Sequence, residues 1–282
     1  MSDEKPHLSH TQLEMLTKCG LQYEFRYVRG IKSPPGVQLV IGKGTHGAIE
    51  KDLGRKMEWG ELLPDDAIAD FAADATKAEW DKETPRSEDD GEPADLGGAV
   101  DTAIALAQLH HREVAPTIEP IAIERGFTLE LPDFPFDYQG FIDVEEVHAI
   151  RDTKTASKAP AADAADTSDQ LTAYDLEATV RGAPPRQVML DVLVKTKTPK
   201  VVTLVSHRAP SDHVRFLRKV EMAARAIQSG SFLPAPKVAG VWWCSPKFCG
   251  YWNQCPAGAR NAVSVGLIDP ARLTSRLAER RP

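Results

Sequence analysis

The sequence predicts an α/β protein, a mixed sheet flanked by helices, and three observations carry that reading. Two apolar, β-branched runs, FIDVEEV and HAIRDTKT, follow one another between Phe141 and Thr155 in the manner of paired strands. A second pair lies in QVMLDVLV and VVTLVSHR, closed around the turn TKTPK, and extends the same sheet. Helical segments lie on both sides of these strands, two of them rich in alanine.

Taken in order, Ser9 or Thr11 is placed to cap a helix through HTQLEMLTKCGLQYEFRYV, where Leu13, Leu16, Leu21 and Phe25 recur at helical spacing. The cluster Tyr23, Phe25, Arg26 and Tyr27 suits either ordinary core packing or stacking on exposed bases. SPPGVQ breaks the chain, and LVIGKGTHGAIEKDLG then reads as a short apolar run, glycines and a helix. On that helix His46 and Glu50 are four residues apart and share a face. Residues 64–83 and 96–114 read as the two alanine-rich helices, separated by the acidic loop TPRSEDDGEPAD, with His110 and His111 left without a role.

Residues 118–130 read as a strand carrying Glu124, leading through the turn PDFPFDY into the central pair. After Lys154 the alanine-rich SKAPAADAADTSD is expected to be a mobile loop. Ser168 or Asp169 then caps a helix on which Gln170 and Tyr174 share a face. A basic helix over 211–229 and the segment WWCSPKFCGYWNQCP follow, and residues 263–282 form a short helix or a disordered tail.

The chemistry concentrates on the central strand pair. Asp143 sits in its first run; Asp152 and Lys154 in its second are two residues apart, so the period of a strand points both to one face. Two carboxylates and an amine on one patch are enough to hold a divalent cation and a nucleophile beside it. A solvated strand edge would carry the same triplet.

Composition narrows the class. The chain is 42% hydrophobic and 27% charged, ordinary for a soluble globular protein. No apolar run approaches the roughly 20 residues that span a bilayer, and the polar start MSDEKPHLSHTQ is unlike a signal peptide, which makes cytoplasmic residence the expectation. A net charge of −7 argues against wholesale coating by nucleic acid. Lys195, Lys197, Arg215 and Arg218 nevertheless fall in a locally basic stretch suited to gripping a short piece of phosphate backbone, or merely to solvation. Four cysteines, Cys19 and the close trio Cys244, Cys249 and Cys255, are better matched to metal than to disulfides in that compartment. Four thiolates suit tetrahedral zinc or an iron–sulfur cluster, and unliganded thiols remain the third option.

The set Asp143, Asp152-Thr153-Lys154 and Gln170-x-x-x-Tyr174, with Gly44-Thr45-His46 upstream and one cysteine followed by three, resembles the PD-(D/E)xK nucleases. More narrowly it resembles their RecB-like branch, which includes the AddB nuclease domain and CRISPR-associated RecB-like exonucleases; the likeness runs from about residue 8 to 257. That resemblance implies a Mg²⁺- or Mn²⁺-dependent DNA exonuclease of 5′-to-3′ polarity, in recombination, repair or phage DNA metabolism, with a helicase or recombination partner. It implies metal ligation by His46, Asp143, Asp152 and the Thr153 carbonyl, with Glu124 as a further candidate. Lys154, Gln170 and Tyr174 complete the catalytic set, and Arg26, Tyr174 and the basic residues above contact DNA. It also implies a 4Fe–4S cluster on the four cysteines, bedded in Trp242, Trp243, Phe248, Tyr251 and Trp252. The domains would then be N-terminal helices over 1–54, a helical insertion over 55–116, the nuclease core over 117–230, a cluster segment over 231–260 and a tail. A structure-selective endonuclease, a processing subunit and a non-catalytic DNA-binding or assembly module are the alternatives.

Overall fold

The computed structural model describes residues 5–82, 85, 94–184, 186–238 and 240–257, so the expected tail and most of the acidic loop TPRSEDDGEPAD lie outside the described residues. The chain forms two compact units. The first comprises the chain up to Glu14 together with Pro34–Gly230; the second comprises Met15–Ser33 and the chain from Ser231 on. No helix among the described residues is long and apolar enough to cross a membrane.

The first unit is built on a six-stranded mixed sheet of β1 (His7–Ser9), β2 (Ala122–Leu129), β3 (Asp137–Glu145), β4 (Ala149–Ala156), β5 (Gln187–Val194) and β6 (Lys200–Ser206). β5 lies between β4 and β6, parallel to the first and antiparallel to the second. Its run VMLDVLV is almost wholly buried, as expected of a strand covered on both faces. The expected central hairpin is present as β3 and β4, but the two pair only through Val144–Arg151 and Glu145–Ile150. β2 covers the other edge of β3 from Tyr138 to Glu145. On the edge it shares with β4, β3 is joined by the three-residue β1 in parallel, Ser9 opposite Gln139. Residues 140–143 of β3 therefore have no strand neighbour on that edge, and the sheet forks there.

Helices complete the layers: α1 (His10–Lys18), α3 (Val37–Trp59), α4 (Asp65–Lys82), α5 (Leu96–Glu113), α6 (Asp169–Val180) and α7 (Pro210–Ser229), with the one-turn α2 (Gly20–Tyr23) in the second unit. The apolar run and glycines expected ahead of the helix are part of it: α3 runs unbroken from Val37, and the boundary expected at 54/55 falls inside it. Gly44 is required within the helix because α4 comes so close there. A Cβ on Gly44 would lie 2.0 Å from Thr76 Oγ1 and 3.0 Å from the Thr76 Cα. Ile41, Ile49 and Leu53 of α3 pack with Leu106 and Leu109 of α5 onto Val144 and Leu193 of the sheet.

His111 ties the three helices together. Its Nδ1 lies 2.8 Å from Asp52 Oδ2 on α3 and its Nε2 2.9 Å from Asp65 Oδ1 on α4, while Asp52 also accepts from the Leu63 amide. The alanine-rich segment SKAPAADAADTSD, expected to be mobile, is held at its end. Arg208 donates to the carbonyls of Ala165 and Ser168, and Ser206 Oγ donates to Asp166.

In the second unit the expected single N-terminal helix is broken at Cys19, whose backbone is extended (φ −162°, ψ 102°) between α1 and α2. Phe25 stacks on Tyr251 at 5.3 Å, and Tyr23 on Phe232 at 5.9 Å. Tyr23 and Phe25 are thus core residues of this unit, and Arg26 and Tyr27 are exposed.

The close approach at Gly44 has a measurable signature. Gly44→Ala should destabilise by about 1–3 kcal/mol through overpacking against Thr76. Gly54→Ala, on the same helix with nothing within 4 Å of its added Cβ, should stabilise by about 1 kcal/mol. Thermal melts of the two variants should move in opposite directions; a gain at Gly44 would refute the packing argument.

Candidate active site

The fork sets the geometry of the site. Where β3 and β4 part, the backbone groups of their facing edges are taken up by side chains. Asp143 Oδ2 accepts from the Thr153 amide at 2.9 Å, and the Tyr174 hydroxyl, reaching from α6, donates to the Phe141 carbonyl at 2.5 Å. Gln170 Nε2 donates to that hydroxyl at 2.6 Å, and Ser168 caps α6 by accepting from the Leu171 amide. Tyr174 is 1% exposed, so it supports the strand rather than presenting a ring to a ligand. A Cβ on Gly140 would stand 2.8 Å from the Phe127 ring on β2, so the ring would have to shift to admit any other residue.

His46 projects from α3 with its Nδ1 3.7 Å from Asp143 Oδ2. Ligand atoms of His46, Glu124 and Asp143 all lie within 4.8 Å of one another, a spacing that suits a single cation. Glu124 reaches this group from a strained backbone: it is the sole non-glycine with positive φ (45°) among the described residues, and it makes no ladder pair with Asp143 across β2 and β3. On β4, Asp152 is 1% exposed and accepts from Lys154 Nζ at 2.9 Å, while the Lys154 side chain is about half exposed at 46%.

Electrostatics in this cluster are those of charges short of counter-charge. Burial raises Asp152 to about 6, with Lys154 pulling down and Asp143 pushing up. Burial raises Glu124 to about 7, reinforced by Asp143 and Glu50. Burial likewise raises Asp143 and lowers His46, leaving a neutral imidazole with a lone pair to offer. Lys154 goes the other way: burial would lower it, but Asp152 and Asp143 outweigh that and hold it as an ammonium. Next along β3, burial would raise Glu145, but Arg186, Arg181 and Arg125 hold it down to about 2. Arg125 and Arg181 also bond Glu177 on α6, so the strand carrying Asp143 is locked to that helix.

The fold thus brings together His46, Glu124, Asp143, Asp152, Thr153, Lys154, Gln170 and Tyr174. The basic candidates sit on separate elements. Lys195 bonds Gln38 and Lys197 lies in the β5–β6 turn, whereas Arg215 and Arg218 are on α7, paired with Asp212 and Glu221. Arg26 belongs to the second unit. His10 is the residue that sequence reasoning passed over. Its Nδ1 is buried without a hydrogen-bond partner among the described residues, and it lies close enough to Lys154 and Asp152 to feel both charges. The signal for it was the capping box beside it, Ser9 and Gln12, which fixes where α1 begins.

A mixed sheet that carries Asp-x-Lys at a fork, faced by a third carboxylate and a histidine from a helix, is nuclease architecture. The family model for the PD-(D/E)XK nuclease superfamily matches residues 7–256, and the chain belongs to that superfamily. Among solved structures, a protein from Eubacterium rectale described as a "putative exonuclease" superposes with a TM-score of 0.53 at 13% identity, covering 96% of this chain and 94% of that one. At that identity the likeness is one of fold. No curated protein matches the sequence.

The raised carboxylates give a pH signature. A group whose folded pKa is raised binds its proton more tightly when folded, so metal-free stability falls as pH rises from the unfolded value through the folded one. For Asp152 and Glu124 that window runs from their ordinary values of 3.8 and 4.5 to about 6 and about 7. Melting in a chelator should therefore show stability lost across it. Mn²⁺ should raise Tm at pH 8 and have little effect at pH 5; a Mn²⁺ shift independent of pH would contradict the assignment.

Proposed function

We propose that the protein is a Mg²⁺- or Mn²⁺-dependent deoxyribonuclease that works from DNA ends, a RecB-like exonuclease. The observation that carries this reading is the convergence of the His46, Glu124 and Asp143 ligand atoms within 4.8 Å, at the same fork as the Lys154–Asp152 pair. Neutral imidazole and buried carboxylates are a donor set that hard divalent cations accept. His46, Asp143, Asp152 and the Thr153 carbonyl are the ligands in this reading, and Glu124 adds a carboxylate on the α3 side. A cation held there supplies a Lewis acid for the phosphoryl oxygens and lowers the pKa of the attacking water.

The chain's own residues do the rest. Lys154 keeps its proton and stands half exposed, so its N–H groups can orient the water and meet charge growing on the phosphate. Asp152 fixes the Nζ of Lys154 from below. Tyr174 and Gln170 hold the Phe141 carbonyl, and with it the edge of β3 from which Asp143 projects. Polarity from 5′ to 3′ and a partner that unwinds duplex DNA follow from the RecB-like resemblance alone.

Linear and circular single-stranded DNA, offered with Mn²⁺ or Mg²⁺, test the reading. Loss of the linear form only is expected, with Lys154→Ala slower by about 100- to 1,000-fold. Cutting of circles would make the protein an endonuclease. No cleavage of either by folded protein would reject the catalytic reading.

For the second unit we propose a 4Fe–4S cluster on Cys19, Cys244, Cys249 and Cys255. Three of the four are buried, and the Cys244 thiol is pushed up by burial and then by the other three cysteines around it. The split of one cysteine near the start and three close together near the end, rather than paired short spacings, favours the cluster over tetrahedral zinc. Gln22 Nε2, 3.2 Å from Cys249 Sγ, would remain as a hydrogen bond to a ligand sulfur. The bed differs from expectation: Tyr251 and Trp252 pack beside Cys249 and Cys255, but Trp242 is 62% exposed and Phe248 is exposed as well. Protein purified without oxygen should be brown, and Cys19→Ala should lose the visible absorbance and much of the soluble yield. Stoichiometric zinc in colourless protein would overturn the assignment.

A further inference from the structure

A cavity of about 480 Å³ occupies the fork of the sheet, within the range of roughly 300–1,000 Å³ typical of ligand pockets. Lys154 lines it from the β4 prong, Phe141 from the bare edge of β3, and Gln139 from the last β3 residue paired with β1. Ser9, His10, Thr11 and Glu14, around the start of α1, also line it. The parallel pairing of β1 sets Ser9 opposite Gln139, so His10 falls where β3 loses its neighbour.

The neighbours of His10 are already engaged. Ser9 and Gln12 bond each other's backbone amides in the capping box. His10 itself lines the cavity, and its Nδ1 is buried with no hydrogen-bond partner among the described residues. Phe141 is 64% exposed, so its ring face is open to a ligand. Glu14 and Asp143 also line the cavity, so a bare anion would be repelled from part of it. A nucleotide joined to a phosphate that a cation and Lys154 neutralise would not be. It offers a phosphodiester oxygen to a neutral donor and a base face to an aromatic ring.

We propose that this cavity receives the nucleotide attached to the scissile phosphate, with His10 donating a ring N–H to a phosphodiester oxygen and Phe141 stacking on the base. The proposal rests on the nuclease reading for the identity of the ligand. His10 is a substrate-positioning residue across the fork from Lys154. Burial, partly offset by Glu14, lowers its pKa, so it serves as a neutral donor that adds no charge next to Lys154.

The test is calorimetric titration of the dinucleotide pdTpdT, in Ca²⁺, into wild type, His10→Ala, His10→Gln and Phe141→Ala, alongside cleavage kinetics in Mn²⁺. His10→Ala should weaken binding about tenfold and raise KM in proportion while leaving kcat and the Mn²⁺ shift in Tm nearly unchanged. His10→Gln, which keeps an N–H donor, should recover most of the loss. Phe141→Ala should weaken pdTpdT but not an abasic dinucleotide, on which His10→Ala should still act. Wild-type affinity in His10→Ala would overturn the proposal even if the enzyme cleaves DNA. Loss of the Mn²⁺ shift in that variant would overturn it too, by making His10 a support of the metal site. His10-dependent binding without cleavage would uphold the pocket and reject the nuclease reading.

Discussion

The structure depends on a strand edge left unpaired. Over four residues of β3 the ladder to a neighbour is missing on one side, and backbone polar groups in that position must find other partners or pay the cost of burial without them. Asp143 and Tyr174 supply those partners. An interrupted sheet opens a polar hollow in the middle of an otherwise close-packed unit, and the groups that repair the interruption also furnish its chemistry. Scaffold and site are therefore one construction, made from the same hydrogen bonds.

Around the hollow, charge is arranged in two contrasting ways. Glu145 is oversupplied with arginines and held as a firm anion. Asp143, two residues earlier on the same strand, lacks such company, as do Asp152 and Glu124, and burial favours their protonated forms. The first arrangement makes β3 rigid by fastening it to β2 and α6. The second leaves an unmet demand for positive charge beside it. Glu124 shows that the demand is built at a cost, since a left-handed backbone in a strand is tolerated only where the surroundings enforce it.

Much of this was legible in the sequence where the governing pattern is short. The two-residue spacing of Asp152 and Lys154, the four-residue spacing of Gln170 and Tyr174, and the capping at Ser168 translate directly into shared faces and helix starts. Features set by distant partners were not legible. β1 is three residues long, too short for a pattern, and exists only because β3 lies beside it. The Arg125–Glu145–Glu177 bonds join residues 20 and 52 positions apart. The glycines of α3 suggested a later helix start because helix propensity counts them as weak, whereas packing against Thr76 requires one of them. Cys19 was expected within a helix, and its extended backbone reflects the turn that the second unit demands.

That second unit draws one strand of its material from residues 15–33 and the other from residue 231 onward, with nearly the whole first unit between them in the chain. A ribosome delivers these parts in order, at about 5–20 residues per second. The early segment, with Cys19, Phe25 and Gln22, must therefore wait in solvent for at least ten seconds or so before Cys249 and Tyr251 emerge. The sheet can assemble during that interval, since every strand it needs precedes residue 207. Synthesis thus imposes a sequence of events that equilibrium contacts do not reveal: the first unit matures while one thiol stays exposed to oxidants and stray metals until its three companions arrive.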